Sequence, residues 1–132
     1  MKLLPLLLPY LIALLLTLII EGSLCWSFLK HKAWLRFTCL VNLFTNPLVN
    51  FVYTILYFVL AKYGLSEIAP WVLLLLEIVV WLSEAYLFYR FGRAQETVNA
   101  TQQKTISTIY KALHFSLVLN AASYLTGLLL QL

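Results

Sequence analysis

Long runs of apolar residues divide this chain into four stretches, separated by short segments in which charged and polar residues gather. A helix needs ~20 residues to cross the ~30 Å hydrocarbon core of a bilayer, and each stretch is about that long. The runs do not alternate as strands do, and lipid offers no partner for unpaired backbone groups, so helices are expected rather than a barrel. The pattern predicts an all-α, four-transmembrane-helix bundle, a single membrane domain with spans near 3–21, 34–61, 70–90 and 107–131.

The composition supports this interpretation and excludes several other classes of protein. Hydrophobic residues make up 63% of the chain and charged residues 11%, against about 45–50% and about 25% in ordinary globular proteins. Asp does not occur at all. A soluble domain of 132 residues could not bury so much apolar surface. The composition therefore argues against a free cytosolic enzyme, a nucleic-acid-binding module and a disordered chain.

The distribution of Lys and Arg predicts how the chain is oriented. The first and third connections and their borders hold Lys30, Lys32, Arg36, Arg90, Arg93, Lys104 and Lys111. The opposite face holds only Lys2 and Lys62. Because cytoplasmic loops carry the excess of cations, both termini are expected outside. We expect a multi-pass protein of the cell membrane, in a bacterium the inner membrane. Its expected partner is the lipid bilayer.

Each predicted span carries one stripe of polar or small residues at ~100° per residue. The stripes are Tyr10, Ala13, Thr17 and Glu21; Asn42, Asn46, Asn50, Tyr53 and Tyr57; Glu77, Trp81, Glu84 and Phe88; and Ala112, Ser116, Asn120, Ser123 and Gly127. A polar group exposed to hydrocarbon costs several kcal/mol, so the four stripes are expected to face one another.

Depth along each span sorts these polar residues into layers, at ~1.5 Å per residue from the cytoplasmic end. A layer ~18–20 Å deep comprises Asn46, Glu77 and Asn120. A layer ~9–14 Å deep comprises Asn42, Glu84 and Ser116. Glu21 is placed at the cytoplasmic mouth of the bundle.

The predicted binding residues are the two deep carboxyls and the amides near them: Glu77, Asn46, Asn120, Glu84 and Asn42. A carboxylate at mid-bilayer costs at least ~2.5–3.5 kcal/mol. No Lys or Arg is predicted at the depth of Glu77. Its carboxyl would therefore need a proton, a bound cation or a small polar or cationic ligand to offset the cost of its charge. Glu84 is expected closer to Arg36 and Lys111. The alternative is that the amides and hydroxyls serve only as interhelical hydrogen bonds, worth about 0.6 kcal/mol on average.

Pro47 follows Asn46 within the second span. It removes one backbone donor and frees the carbonyl of Leu43, which usually kinks a helix. A kink there is expected to line a small cavity with carbonyl and amide oxygens.

Motifs of enzymes and metal sites are missing from the sequence. It contains no H-E-x-x-H, C-x-x-C, G-x-S-x-G or phosphate-binding Gly loop. Cys25 and Cys39 have no metal-ligand spacing and are interpreted as small apolar residues. We therefore predict no cofactor, no metal and no catalytic residues, and an enzyme is the least favoured class.

Three segments, VNLFTNPLVN, EIVVWLSEAYLFYR and SLVLNAASYLTG, resemble small bacterial four-helix membrane proteins. The resemblance implies the helical membrane fold and transfers no activity. The size is also similar to that of small multidrug transporters, which have four spans and an intramembrane Glu. Here the deep carboxyls lie in the third span rather than the first, so that likeness is an analogy of size.

Two functions of different class follow. The first is proton- or cation-linked transport, or binding of a small ligand within the bilayer, with Glu77 as the binding group and Glu84 as a cytoplasmic relay. A single bundle leaves little room for a pathway, so a homodimer is expected. The second is a non-catalytic structural or accessory subunit that docks a partner membrane protein. Neither function involves nucleic acid.

Overall fold

The computed structural model describes residues 4–98, 106 and 108–130. It contains helices α1 (Leu4–Leu29), α2 (Lys32–Lys62), α3 (Ala69–Val98) and α4 (Ile109–Leu130). Among the described residues there is no strand, and the prediction of an all-α fold is confirmed. Lys2 and Lys104, and the side chains of Tyr10, Ser123 and Gly127, lie outside what the structure describes.

A two-residue linker joins α1 to α2 and turns the chain back on itself. Lys30 ends α1 in the left-handed region, with φ 50°, and its N–H donates to the Trp26 carbonyl at 2.9 Å. His31 is extended and caps α2, since its Nδ1 accepts from the Ala33 N–H at 3.3 Å. The two helices are therefore antiparallel neighbours.

The C-terminus of α2 is closed by a glycine motif. Gly64 has φ 71°, a conformation that is easy only without a Cβ. The Leu65 N–H donates to the Leu60 carbonyl at 2.8 Å and the Gly64 N–H to the Ala61 carbonyl at 3.1 Å. These two bonds form a Schellman motif, which satisfies carbonyls left open at a helix end. A 3₁₀ turn, Ser66–Ile68, then leads into α3.

Two helices extend further than the corresponding predicted spans. α1 continues to Leu29 and α3 to Val98, eight residues beyond positions 21 and 90 and ~12 Å farther along each axis. The polar segment after Arg90 is helical because residues such as Ala94, Gln95 and Glu96 are good helix formers. The ends of α2 and α4 lie within two residues of the predicted bounds.

The four helices form a ring in which each packs against two neighbours, in the order α1, α2, α3, α4 and back to α1. Aromatic side chains fill the end of the ring near the α1–α2 linker. Trp34 meets Phe91 edge-on at 4.9 Å between ring centroids, and Phe37 stacks on Phe91 at 4.0 Å. Phe88 and Phe115 make a further edge contact at 5.2 Å. These rings join α2, α3 and α4.

Packing differs between the two halves of the bundle. Apart from Ala69, the buried side chains among the described residues come from the half that contains the aromatic cluster. They lie between 21 and 25 in α1, 34 and 42 in α2, 84 and 92 in α3, and 112 and 119 in α4, together with Ile106. Among the side chains that the structure describes, burial is therefore concentrated at the linker end of the bundle.

The outer surface is strongly apolar. Phe44, Phe58 and Trp71 have 74%, 68% and 68% of their surface exposed, which suits contact with lipid and would promote association in water. Within the described part of the chain, three segments are long and apolar enough to cross a membrane: Leu11–Leu29, Lys32–Lys62 and Ser66–Glu96. This supports a membrane protein, while a fourth crossing by α4 stays a prediction.

Candidate functional site

A buried carboxyl on α3 is bound by side chains from two neighbouring helices. Glu84 is 1% exposed. Its Oε1 accepts from the Thr45 hydroxyl of α2 at 2.8 Å, and its Oε2 accepts from the Asn120 amide of α4 at 2.6 Å. The Ser116 hydroxyl of α4 lies 3.4 Å from the same Oε2. These four residues are called the Glu84 cluster below, and three helices meet there.

The hydroxyl of Thr45 lies within bonding distance of two acceptors. Its Oγ1 is 2.8 Å from Glu84 Oε1 and 3.0 Å from the carbonyl oxygen of Val41. One hydroxyl hydrogen can serve only one of them. With Glu84 ionised, Thr45 donates to the carboxylate; with Oε1 protonated, Glu84 donates to Thr45, which then donates to Val41. The same heavy-atom positions therefore accommodate both protonation states.

The seam between α3 and α4 holds this cluster in place. The Trp81 indole N–H donates to the Leu113 carbonyl at 3.1 Å, and the Ser116 hydroxyl lies 3.3 Å from the Trp81 carbonyl. Asn120 also donates to the Ser116 carbonyl at 2.9 Å. The buried Ala112 and Ser116 are small, which lets the two helices approach closely.

A second buried carboxyl, on α1, is also bound through α2. Glu21 is 1% exposed and its Oε2 accepts from the Asn42 amide at 2.5 Å. Asn42 also donates to the Thr38 carbonyl at 3.2 Å, while its own Oδ1 accepts from the Asn46 amide at 3.2 Å. We call Glu21, Thr38, Asn42 and Asn46 the Glu21 cluster. Asn42 and Thr45, three residues apart on α2, thus bind one buried carboxyl each.

A cavity of about 380 Å³ opens between α1 and α2 beside the Glu21 cluster. Polar atoms in its lining come from Thr17, Asn46, Asn50 and Thr54, and the remainder is mostly apolar. Pro47 also lines it, so a cavity lies beside the Asn46–Pro47 pair as predicted, although its lining is mostly apolar and not chiefly carbonyl and amide oxygens. Asn46 connects this cavity to the buried Glu21 through Asn42.

The predicted layer of Asn46, Glu77 and Asn120 does not form. Glu77 is exposed, and no hydrogen bond found among the described residues joins it to either amide. Glu84 takes the place beside Asn120 that the depth estimate gave to Glu77. The estimate was wrong because it measured depth from Arg90, whereas α3 continues to Val98. Glu84 is therefore near the middle of its helix.

The second predicted layer forms only in part. Ser116 lies next to Glu84, as predicted, whereas Asn42 binds Glu21 instead. Arg36 and Lys111, expected closer to Glu84, are exposed. The described side chains within hydrogen-bonding distance of Glu84 are all neutral. No group of His, Cys, Asp or Glu among the described residues is arranged to hold a metal ion.

Three residues of these clusters had no side-chain role in the sequence prediction. Neither Thr45 nor Thr38 was assigned a role. Glu21 was placed at the mouth of the bundle, whereas it is buried. The available signal was spacing, since Thr38, Asn42 and Thr45 follow at intervals of four and three, which places them along one side of α2.

Comparisons with protein-family models, with curated proteins and with solved structures find no match to this chain. The proposal that follows therefore depends on the geometry of the two clusters and on general chemistry.

Proposed function

We propose that this chain is a four-span membrane protein that binds a proton at Glu84, linked to binding or transport of a small polar ligand within the bilayer. The observation that carries the proposal is the environment of the Glu84 carboxyl, which is 1% exposed and is bound by neutral side chains from α2 and α4. A buried carboxyl without a cationic partner gains most from a proton or a small cation.

A proton fits this cluster better than a metal ion does. A hard divalent cation such as Ca²⁺ takes six to eight oxygen ligands, more than the side chains of Glu84, Thr45, Ser116 and Asn120 supply together. A proton needs one acceptor, and the Thr45 hydroxyl can reverse its hydrogen bond when Glu84 gains one. Proton uptake would therefore require no rearrangement of the helices around Glu84.

The cavity between α1 and α2 is the proposed ligand site. Its lining is mostly apolar but includes amides and hydroxyls, which suit a small ligand that has apolar surface and one or two hydrogen-bonding groups. Asn46 links that lining to Glu21 through Asn42. Because Asn42 and Thr45 lie on the same helix, a shift of α2 on ligand binding would alter the bonds to both carboxyls. One bundle of four helices offers little room for a pathway, which favours a second copy.

The experiment is proton flux into proteoliposomes that contain a pH-sensitive dye. Wild-type protein is compared with Glu84→Gln, which keeps the size of the side chain and removes the titrating group. Glu67→Gln is the matched control, because Glu67 is exposed in the 3₁₀ turn. The proposal expects flux in the wild type and in the control, and flux at the level of empty liposomes in Glu84→Gln. Equal flux in all three proteins would contradict it.

A second candidate, an accessory subunit of a membrane complex, is favoured by one observation. Glu77 is exposed on the apolar surface of α3, between the exposed Leu74 and Ile78. An intramembrane carboxyl facing lipid is costly, and a partner helix with a cationic or hydrogen-bonding side chain would relieve that cost. This candidate expects Glu77→Gln to lose co-purification of a membrane partner, while Glu84→Gln retains it.

A further inference from the structure

A second concave surface lies between α1 and α2, near the linker that joins them. It is a groove of about 730 Å³, separate from the cavity beside Asn46, and it is called the basic groove below. Lys32 and Arg36 line it on the α2 side, and Trp26 lines it on the α1 side. Leu35 lies between the two cations on α2, and Gly22 and then Ile19 continue the lining along α1, away from the linker. One end is therefore cationic and the other apolar.

The cationic end has the chemistry of a phosphate site. Lys32 and Arg36 are four residues apart, which places them on the same face of α2, and both are exposed. The ion pair found within the described residues joins Arg93 to Glu96 and involves neither of them. Arg binds phosphate through two parallel N–H donors, and Lys adds a second positive charge.

The apolar end continues from the cations along α1. Ile19 is 59% exposed and Trp26 is 43% exposed, and they lie ~10 Å apart along the helix. Gly22, between them, has no side chain to fill the groove, and a Cβ added there would come within 3.2 Å of Leu35 Cδ1. An exposed Trp beside cations is typical of a side chain at the headgroup level of a membrane.

We propose that the basic groove binds an anionic glycerophospholipid of the surrounding bilayer. Its phosphate would lie between Lys32 and Arg36, its glycerol against Trp26, and the first part of one acyl chain along Ile19 and Leu35. A free phosphate would use only the cationic end of the groove. The lipid matches both ends, so the observations favour it. The proposal depends on membrane insertion and not on proton binding at Glu84, so each can fail without the other.

The test uses quenching of Trp26 fluorescence by brominated phospholipids. The Trp26 contribution is the difference between wild-type protein and Trp26→Phe in vesicles of otherwise neutral lipid. Brominated phosphatidylglycerol is expected to quench this contribution at a lower mole fraction than brominated phosphatidylcholine. Neutralising either cation, as Lys32→Gln or Arg36→Gln, should reduce that preference roughly fivefold, and the double variant should abolish it.

Lys62→Gln is the charge-matched control, because Lys62 lies at the opposite end of α2, and it should retain the wild-type preference. Equal quenching by the two lipids in wild-type protein would overturn the proposal, as would a preference that persists in the double variant. Loss of the preference on adding inorganic phosphate at low millimolar concentration would also overturn it, since the groove would then be a site for the free anion.

Discussion

The Thr45 hydroxyl of α2 lies 2.8 Å from Oε1 of Glu84 on α3. The same hydroxyl is 3.0 Å from the carbonyl oxygen of Val41, so its single hydrogen can serve the carboxylate or the backbone but not both. A buried carboxyl with such a partner can gain or lose a proton while its neighbours stay in place. Helix α2 also binds Glu21 through Asn42. It is therefore the helix that is hydrogen-bonded to both buried carboxyls.

Removing the Thr45 hydroxyl should weaken the bundle. Thr45→Val keeps the shape of the side chain but leaves Glu84 Oε1 without its donor, and we expect a loss of ~1 kcal/mol in the free energy of unfolding. Thr45→Ser retains the hydroxyl and should lose less. The measurement is denaturant unfolding in mixed detergent micelles. Equal stability of the two variants would show that the Thr45 hydroxyl does not stabilise the bundle.

Asn42 should matter more than other asparagines of the same helix. Asn42→Leu removes the amide that binds both Glu21 and the Thr38 carbonyl, and the expected cost in unfolding free energy is about 1–3 kcal/mol because a buried acceptor loses its donor. Asn50→Leu is the control, since Asn50 is exposed and, within the described part of the chain, its amide donates to the Asn46 carbonyl. A similar cost for both variants would contradict this ranking.

Gly22 sets how closely α1 and α2 approach. A Cβ at this position would lie 3.2 Å from Leu35 Cδ1 and 3.7 Å from Cys39 Sγ, both on side chains. Gly22→Ala is therefore expected to be nearly neutral in thermal stability, because the gain in helix propensity of ~1 kcal/mol offsets a small displacement of Leu35. Gly22→Val should be clearly less stable, since its branched side chain must separate the helices. Equal melting temperatures for Gly22→Val and wild type would contradict close packing here.

The predicted orientation is open to a labelling test. Single Cys replacements at Lys30 and Ser66 fall in the linkers at opposite ends of α2. A membrane-impermeant maleimide added to intact cells should label Ser66→Cys and not Lys30→Cys, because the first connection is predicted to be cytoplasmic. Wild-type protein, with Cys25 buried and Cys39 partly buried, is the background control. The reverse labelling pattern would invert the predicted topology.

Hydrophobic patterning was enough to predict the four helices, but not their ends. The run from Leu3 to Glu21 suggested a short first span, whereas the helix passes through Gly22 and ends at Leu29, before Lys30, whose positive φ no pattern revealed. α3 continues through a polar segment because helix propensity, rather than hydrophobicity, decides its end. Since depth was measured from those ends, an error of ~12 Å assigned Glu77 to the level beside Asn120 that Glu84 occupies.

The polar stripes were a good guide to the residues that lie inside the bundle, but a poorer guide to which of these residues bind each other. Asn120, Ser116 and Glu84 come together because each lies on the buried stripe of its helix. Thr45 could not be ranked from the sequence, since a Thr in a membrane helix commonly bonds to its own backbone four residues earlier, as it also does here with Val41. Its second contact depends on the rotation of α3, which the sequence pattern does not fix.

Infrared spectroscopy of the protein in lipid can observe proton binding at Glu84 itself, because a protonated carboxyl has a C=O stretching band distinct from that of a carboxylate. The band is followed through a pH titration in wild-type protein, Glu84→Gln and Glu67→Gln. Because Glu21 is also a buried carboxyl, the contribution of Glu84 is taken as the difference between the wild-type and Glu84→Gln bands. We predict that this component is present in wild type and Glu67→Gln, missing from Glu84→Gln, and shifted in Thr45→Val, where one hydrogen bond to the group is lost. The same titrating band in Glu84→Gln as in wild type, or no such band in wild type at any pH at which the protein stays folded, would contradict proton binding at Glu84.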